Sequence, residues 1–145
     1  MDIDREAPVV VEVSMIAAAS LETVWRLQTD IDRWPTWQHD IEEAHLAGPI
    51  SAGSTVTWRT HGLSLTSVIG DLHPMRRIAW GGSGQGIDGI HVWTFDAVAD
   101  GVRVHTAESW DGPPVIADPD GMRSALASSL TAWLAALTSV AETTH

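Results

Sequence analysis

Four residue types, cysteine, lysine, tyrosine and asparagine, are missing from this chain of 145 residues, and the first two gaps each close off a class of chemistry. Without cysteine there is no disulfide framework, no thiol nucleophile and no thiolate metal site. Without lysine, and with only 8 arginines against 19 acidic residues, the formal charge is −11, so the clustered cations that grip a phosphate backbone are lacking. Nucleic acid is therefore excluded as a partner. There is no tyrosine and only one phenylalanine, yet there are eight tryptophans, each a large apolar wall with a single N–H donor. The opening Met1-Asp2-Ile3-Asp4-Arg5-Glu6 is acidic where a secretion signal would be basic, and no apolar run is expected to approach membrane-spanning length. These features predict a cytoplasmic protein with one domain over 1–145, large enough to bury a core unaided.

The longest patterned stretch runs from Asp118 to Glu142. Asp118-Pro119 reads as an N-cap followed by proline at the first helical position, where its missing N–H costs nothing. Met122, Leu126, Leu130, Trp133, Leu137 and Val140 recur at steps of three and four and form one apolar stripe. A stripe of that length requires a broad apolar partner. Upstream, Val9, Val11, Val13 and Met15 alternate as a first strand, and Ser20 caps a short helix over Leu21 to Gln28. A second short helix or turn falls around Trp34-Pro35. Further strands are predicted over Thr55 to His61, Leu63 to Leu72, Met75 to Trp80 and His91 to Phe95. A last one follows the Asp100-Gly101 turn, with Val102, Val104, Thr106, Glu108 and Trp110 on one face. In Leu63 to Leu72 the facing is ambiguous, because Leu63, Leu65 and Ile69 compete with Val68 and Leu72 of opposite parity.

Along the chain stand Ala19-Ser20-Leu21-Glu22-Thr23-Val24-Trp25, Asp30-x-x-x-Trp34-Pro35-x-Trp37, Gly48-Pro49 and Gly53-Ser54, Pro74-x-x-x-Ile78-Ala79-Trp80, His91-x-Trp93-x-Phe95 and Gly101-x-Arg103-Val104. In this order and spacing they resemble the START-like helix-grip superfamily (SRPBCC), in particular its polyketide cyclase/dehydrase group. The resemblance implies an α+β helix-grip fold: a strand, two short helices, six more antiparallel strands curved around a long C-terminal helix, and an internal hydrophobic cavity. It implies a hydrophobic or aromatic small molecule as partner. It does not decide between a cyclase or dehydrase, a non-catalytic carrier of a hydrophobic metabolite and a protein-interaction module, because one fold hosts all three.

Several motifs are candidates for chemistry. The run Gly81-Gly82-Ser83-Gly84-Gln85-Gly86 leads into a strand and lacks a P-loop lysine, so it is read as a flexible hairpin loop at a pocket rim rather than a phosphate cradle. His39, Glu42, Glu43 and His45 read as a solvated polar connection rather than a metal site, and no cofactor is implied. Parity along an unbroken final strand turns Glu108 inward with Val102 and Val104, unless a bulge after Ala107 reverses it. A carboxyl among indoles loses hydration and its pKa rises, so Glu108 and His91 are the candidate acid/base pair, the alternatives being ligand orientation or a satisfied buried pair. The candidate ligand-binding residues are Trp58, Trp80, Trp93, Phe95, Trp110, Met122, Leu126 and Trp133, which form either a pocket or a filled core. Trp25, Trp34 and Trp37 are expected to pack at the end of the sheet.

Overall fold

In the computed structural model, which describes residues 1–144, the chain runs β1 (Val9–Ala17), α1 (Leu21–Thr29), a 3₁₀ helix (Ile31–Thr36), β2 (Ile41–Leu46), β3 (Thr55–Thr60), β4 (Leu63–His73) and β5 (Arg77–Gly84). It continues with β6 (Ile87–Val98), β7 (Gly101–Asp111), α2 (Pro113–Ala117) and α3 (Pro119–Thr143). The strands form one antiparallel sheet in the order β1-β7-β6-β5-β4-β3-β2, so strands consecutive in sequence neighbour one another except where β1 pairs with β7. β1 and β2 are thus opposite edges, and α1 with the 3₁₀ helix spans between them. This is the helix-grip fold, with α3 held in the concave face of the sheet.

The caps fall where side-chain chemistry puts them. Ser20 accepts from the Thr23 N–H at the start of α1, and Asp118 accepts from the Gly121 N–H at the start of α3. Leu126, Leu130, Trp133, Leu134, Leu137 and Ala141 of α3 are buried against the sheet. By length and apolar composition α3 alone could cross a bilayer, so an apolar run of membrane-spanning length does exist. Here its stripe is the inner layer of the fold.

Three local readings are corrected. The polar segment after Trp37 is an edge strand, with Ile41 buried and the charged side chains outward, and a bulge between Ile41 and Glu43 that leaves Glu42 and Glu43 both exposed. The glycine run is not a loop. β5 continues through Gly84, and the hairpin closes over Gln85-Gly86, both at positive φ, as a tight two-residue connection. Gly82 is needed because a Cβ there would lie 2.3 Å from the Thr66 carbonyl oxygen of β4. In β4 both parities are used: a register shift between Ile69 and Asp71 lets Ile69 and then Leu72 face the core, while Val68 is exposed.

Trp34 does not sit at the margin. It is 1% exposed, its ring lies 5.5 Å from Trp80, 5.8 Å from Trp58 and 5.2 Å from Trp133, and its Nε1 donates to the Gln28 carbonyl oxygen at 2.9 Å. Trp34→Ala is expected to lower stability by about 3–5 kcal/mol in urea unfolding. Val68→Ala, on the exposed parity of β4, is expected to stay within about 0.5 kcal/mol.

Candidate functional site

The register of three strands builds the site. β7 pairs without interruption with β1 on one side and β6 on the other, so no bulge intervenes at Ala107 and Glu108 keeps the inward parity of Val102, Val104 and Thr106. Across β6 its partner is His91, and across β5 the partner of His91 is Trp80. These three side chains share one rung and one face of the sheet. They line a cavity of about 560 Å³ between the sheet and the N-terminal half of α3, and the wall residues His61, Leu63, Ala125 and Ser128, all exposed, mark where it opens.

His91 Nδ1 lies 3.0 Å from Glu108 Oε1, and His91 Nε2 lies 2.7 Å from Thr106 Oγ1. Thr106 Oγ1 in turn donates to the Val92 carbonyl oxygen at 3.2 Å, and Trp110 Nε1 donates to Glu108 Oε2 at 2.6 Å. A hydroxyl has one proton to give. With that proton on Val92, Thr106 accepts from a protonated Nε2, Nδ1 is bare, and the 3.0 Å contact holds only if Glu108 carries the proton. If Glu108 ionises, Nδ1 must take the hydrogen and Nε2 must accept from Thr106, whose hydroxyl turns away from Val92. The charge of the carboxyl and the tautomer of the imidazole are therefore one variable.

Burial sets where that variable changes. The two side chains retain 4% (His91) and 16% (Glu108) of their exposure. Desolvation raises the Glu108 carboxyl from its ordinary 4.5 to about 7, opposed by the Trp110 hydrogen bond, and desolvation lowers His91 from 6.5 to about 3. No arginine pairs with Glu108; its partner is the neutral imidazole of His91. Both nitrogens of His91 are taken by protein atoms, so Glu108 is the member of the pair whose remaining lone pairs are free for the cavity.

The other expected residues divide. Trp58, Trp80, Trp110, Met122, Leu126 and Trp133 line the cavity together with His91 and Glu108. Trp93 and Phe95 are not on its wall. Trp93 is fully buried against His91 and Trp133, and Phe95 packs edge-on against Trp25 at 5.3 Å. Parity gave their face correctly, but the cavity begins further along the strand. Thr106, Gln38, Ser67 and Gly82 were missed as site residues. Of these only Thr106 left a signal, as a hydroxyl two residues before Glu108 on the same face. Glu42 and His45 are engaged elsewhere, with Arg59 and Asp32, and no group of three metal-ligating side chains is gathered among the described residues.

The chain belongs to the family described as polyketide cyclase / dehydrase and lipid transport, whose model matches residues 8–142. Similar solved structures share the fold at low identity. A hypothetical protein, jhp0584, from Helicobacter pylori has a TM-score of 0.84 at 19% identity, over 96% of this chain and 91% of that one. A START superfamily protein from Mycobacterium smegmatis has 0.79 at 14%, over 92% and 97%. The di-domain ARO/CYC StfQ of the steffimycin biosynthetic pathway also has 0.79 at 14%, over 93% of this chain but 51% of its own. No curated protein matches by sequence.

Opposite shifts in one pair give a signature in stability against pH. His91, lowered in the fold, contributes stability that is present above 6.5 and is lost as pH falls toward 3; Glu108, raised, contributes stability that is present below 4.5 and is lost as pH rises through 7. Between 4.5 and 6.5 the two slopes oppose. Urea unfolding of Glu108→Gln is expected to show stability rising with pH across that window, where the wild-type protein is comparatively flat. A wild-type slope equal to that of the variant would place the carboxyl at its ordinary value.

Proposed function

We propose that this protein binds an apolar carbonyl compound in the cavity and that Glu108 moves a proton on it, with His91 as the positioning partner. The observation that carries this reading is a buried carboxyl on the cavity wall with an imidazole 3.0 Å behind it, where burial pushes the carboxyl pKa up to about 7. A group half ionised at neutral pH is suited to accept a proton in one step and return it in the next.

In the proposed step ionised Glu108 takes a proton from the carbon α to a ligand carbonyl. The C–H bond breaks, its electron pair becomes the C=C bond, and the carbonyl oxygen becomes an enolate oxygen. The enolate carbon then attacks a second carbonyl of the same molecule, and the resulting alkoxide takes the proton back from Glu108. This closes a ring by aldol addition and leaves the carboxylate as it began; loss of water from the aldol is the dehydrase variant. Aldol and dehydration chemistry is supported by the family description, polyketide cyclase / dehydrase, and is compatible with the fold shared with the di-domain ARO/CYC StfQ.

Lipid transport is also in the family description, and the apolar wall suits it. A carrier reading leaves Glu108 as a ligand-orienting group without turnover. An interaction module calls for a filled interior, and the cavity weighs against it.

The test is solvent deuterium exchange. The full-length protein in D₂O with 2-acetylnaphthalene as probe is expected to speed loss of the methyl-ketone proton signal, and Glu108→Gln to lower that rate by about 10²-fold or more with binding retained. Saturable quenching of tryptophan fluorescence with no exchange above buffer would favour the carrier.

A further inference from the structure

Four indoles reach the cavity, and three have their N–H groups committed. Trp58 Nε1 donates to Ser67 Oγ at 3.1 Å, Trp110 Nε1 to Glu108 Oε2 at 2.6 Å, and Trp133 Nε1 to Gln28 Oε1 at 3.2 Å. Trp80 differs. Among the described residues no protein atom accepts from its Nε1, yet this nitrogen is not one of the sealed donors without a partner, which are Trp93 Nε1 and Gln28 Nε2. Trp80 is 3% exposed and faces inward from β5, so the open side of its N–H is the cavity it lines.

Its position is as informative as its freedom. Trp80, His91 and Glu108 occupy one rung across β5, β6 and β7, which puts the backbones of Trp80 and Glu108 about 10 Å apart, two strand spacings, with side chains on the same face. The His91 ring lies between them, 5.0 Å from the Trp80 ring and 3.0 Å from the Glu108 carboxyl. A donor with no acceptor thus stands on one side of the imidazole and a proton acceptor on the other. A ketone meets both: its oxygen accepts and its α-carbon gives up a proton.

We propose that Trp80 Nε1–H receives the carbonyl oxygen of the substrate and stabilises the enolate oxygen as Glu108 removes the α-proton, so that the site takes uncharged, enolisable ketones. This deepens the reaction proposed above and rests on it. In that step the N–H stays on nitrogen; its hydrogen bond strengthens as charge moves from the α-carbon to oxygen, which is how a fixed donor lowers a barrier. Charge selection follows from the same wall. Its titratable side chains are Asp40, His61, His91 and Glu108, with neither arginine nor lysine, so a carboxylate ligand finds no permanent positive charge to offset its desolvation.

The first readout is taken on the wild-type protein. In ¹H–¹⁵N spectra of the wild-type protein, the indole resonances are assigned by single Trp→Phe variants, and 2-acetylnaphthalene is titrated at constant pH. The expected result is a downfield shift of the Trp80 indole proton that saturates, with smaller changes at Trp58, Trp110 and Trp133. Trp80→Phe is expected to slow deuterium exchange of the probe by about 10–10²-fold, and 2-naphthoate to bind at least tenfold more weakly than the ketone. Cavity resonances that move while the Trp80 indole proton does not would overturn this inference and leave the pocket reading standing. Tighter binding of 2-naphthoate would overturn the charge selection. If no cavity resonance moves at saturating probe, the pocket reading fails and this inference with it.

Discussion

One side chain sets the spacing between helix and sheet. Trp133, on the inner face of α3, meets Trp34 at 5.2 Å, Trp58 at 5.9 Å, Trp80 at 6.3 Å, Trp93 at 5.2 Å and the His91 ring at 5.7 Å between centroids. Gln28 holds this cluster from α1, its side-chain oxygen accepting from Trp133 Nε1 and its carbonyl from Trp34 Nε1. On one side of Trp133 the helix continues with Leu134, Leu137 and Ala141, which pack fully. On the other, Met122, Leu126 and Leu130 alternate with Ala125, Ser128, Ser129 and Ala132, which are too small to span the gap that an indole props open. The cavity is the volume those small residues leave unfilled.

The carboxyl–imidazole pair sits at the floor of that volume, and its properties follow from the same packing. Indoles exclude water without supplying a positive charge, so neither Glu108 nor His91 gains from ionising. The neutral state is satisfied throughout: the acid donates to Nδ1, Nε2 donates to Thr106, and Thr106 donates to Val92. A buried polar chain costs little when every member has a partner. Ionisation is available at the expense of one hydroxyl turn, which is why the pair changes state near neutrality rather than being locked.

Much of this was legible in the residues. Alternation from Val102 to Trp110 carried Glu108 inward because a strand paired on both sides has no freedom to slip, and the caps of α1 and α3 were readable as single side chains. The depth of each residue was not legible. Period two tells which face Trp93 and Phe95 occupy, but whether they meet helix or cavity depends on where Trp133 lands, a tertiary fact. β2 was hidden because an edge strand needs only one apolar face, here Ile41, Ala44 and Leu46, and a bulge broke even that alternation. The glycine run looked mobile because glycine is permissive. In the fold it is required by a close backbone approach, which composition cannot distinguish from flexibility.

Stability alone does not account for a carboxyl at position 108. A leucine there would fill the same space beside Trp110 and His91 with no desolvation cost, and replacing buried polar groups by apolar ones of similar volume is often neutral or better. A carrier of an apolar ligand gains nothing from the change, since its affinity comes from the wall. The polar chain is moreover one-sided: it is anchored in backbone at Val92, passes through Thr106 and His91, and ends at a carboxyl whose unused lone pairs point into the cavity. Across the rung the one cavity indole without a partner offers a donor. An acceptor and a donor left open on the same wall, each otherwise a cost, are compensated together by a ligand that has both complements. That pairing is what the proposed proton transfer on a bound ketone uses and what storage of a hydrocarbon would leave unused.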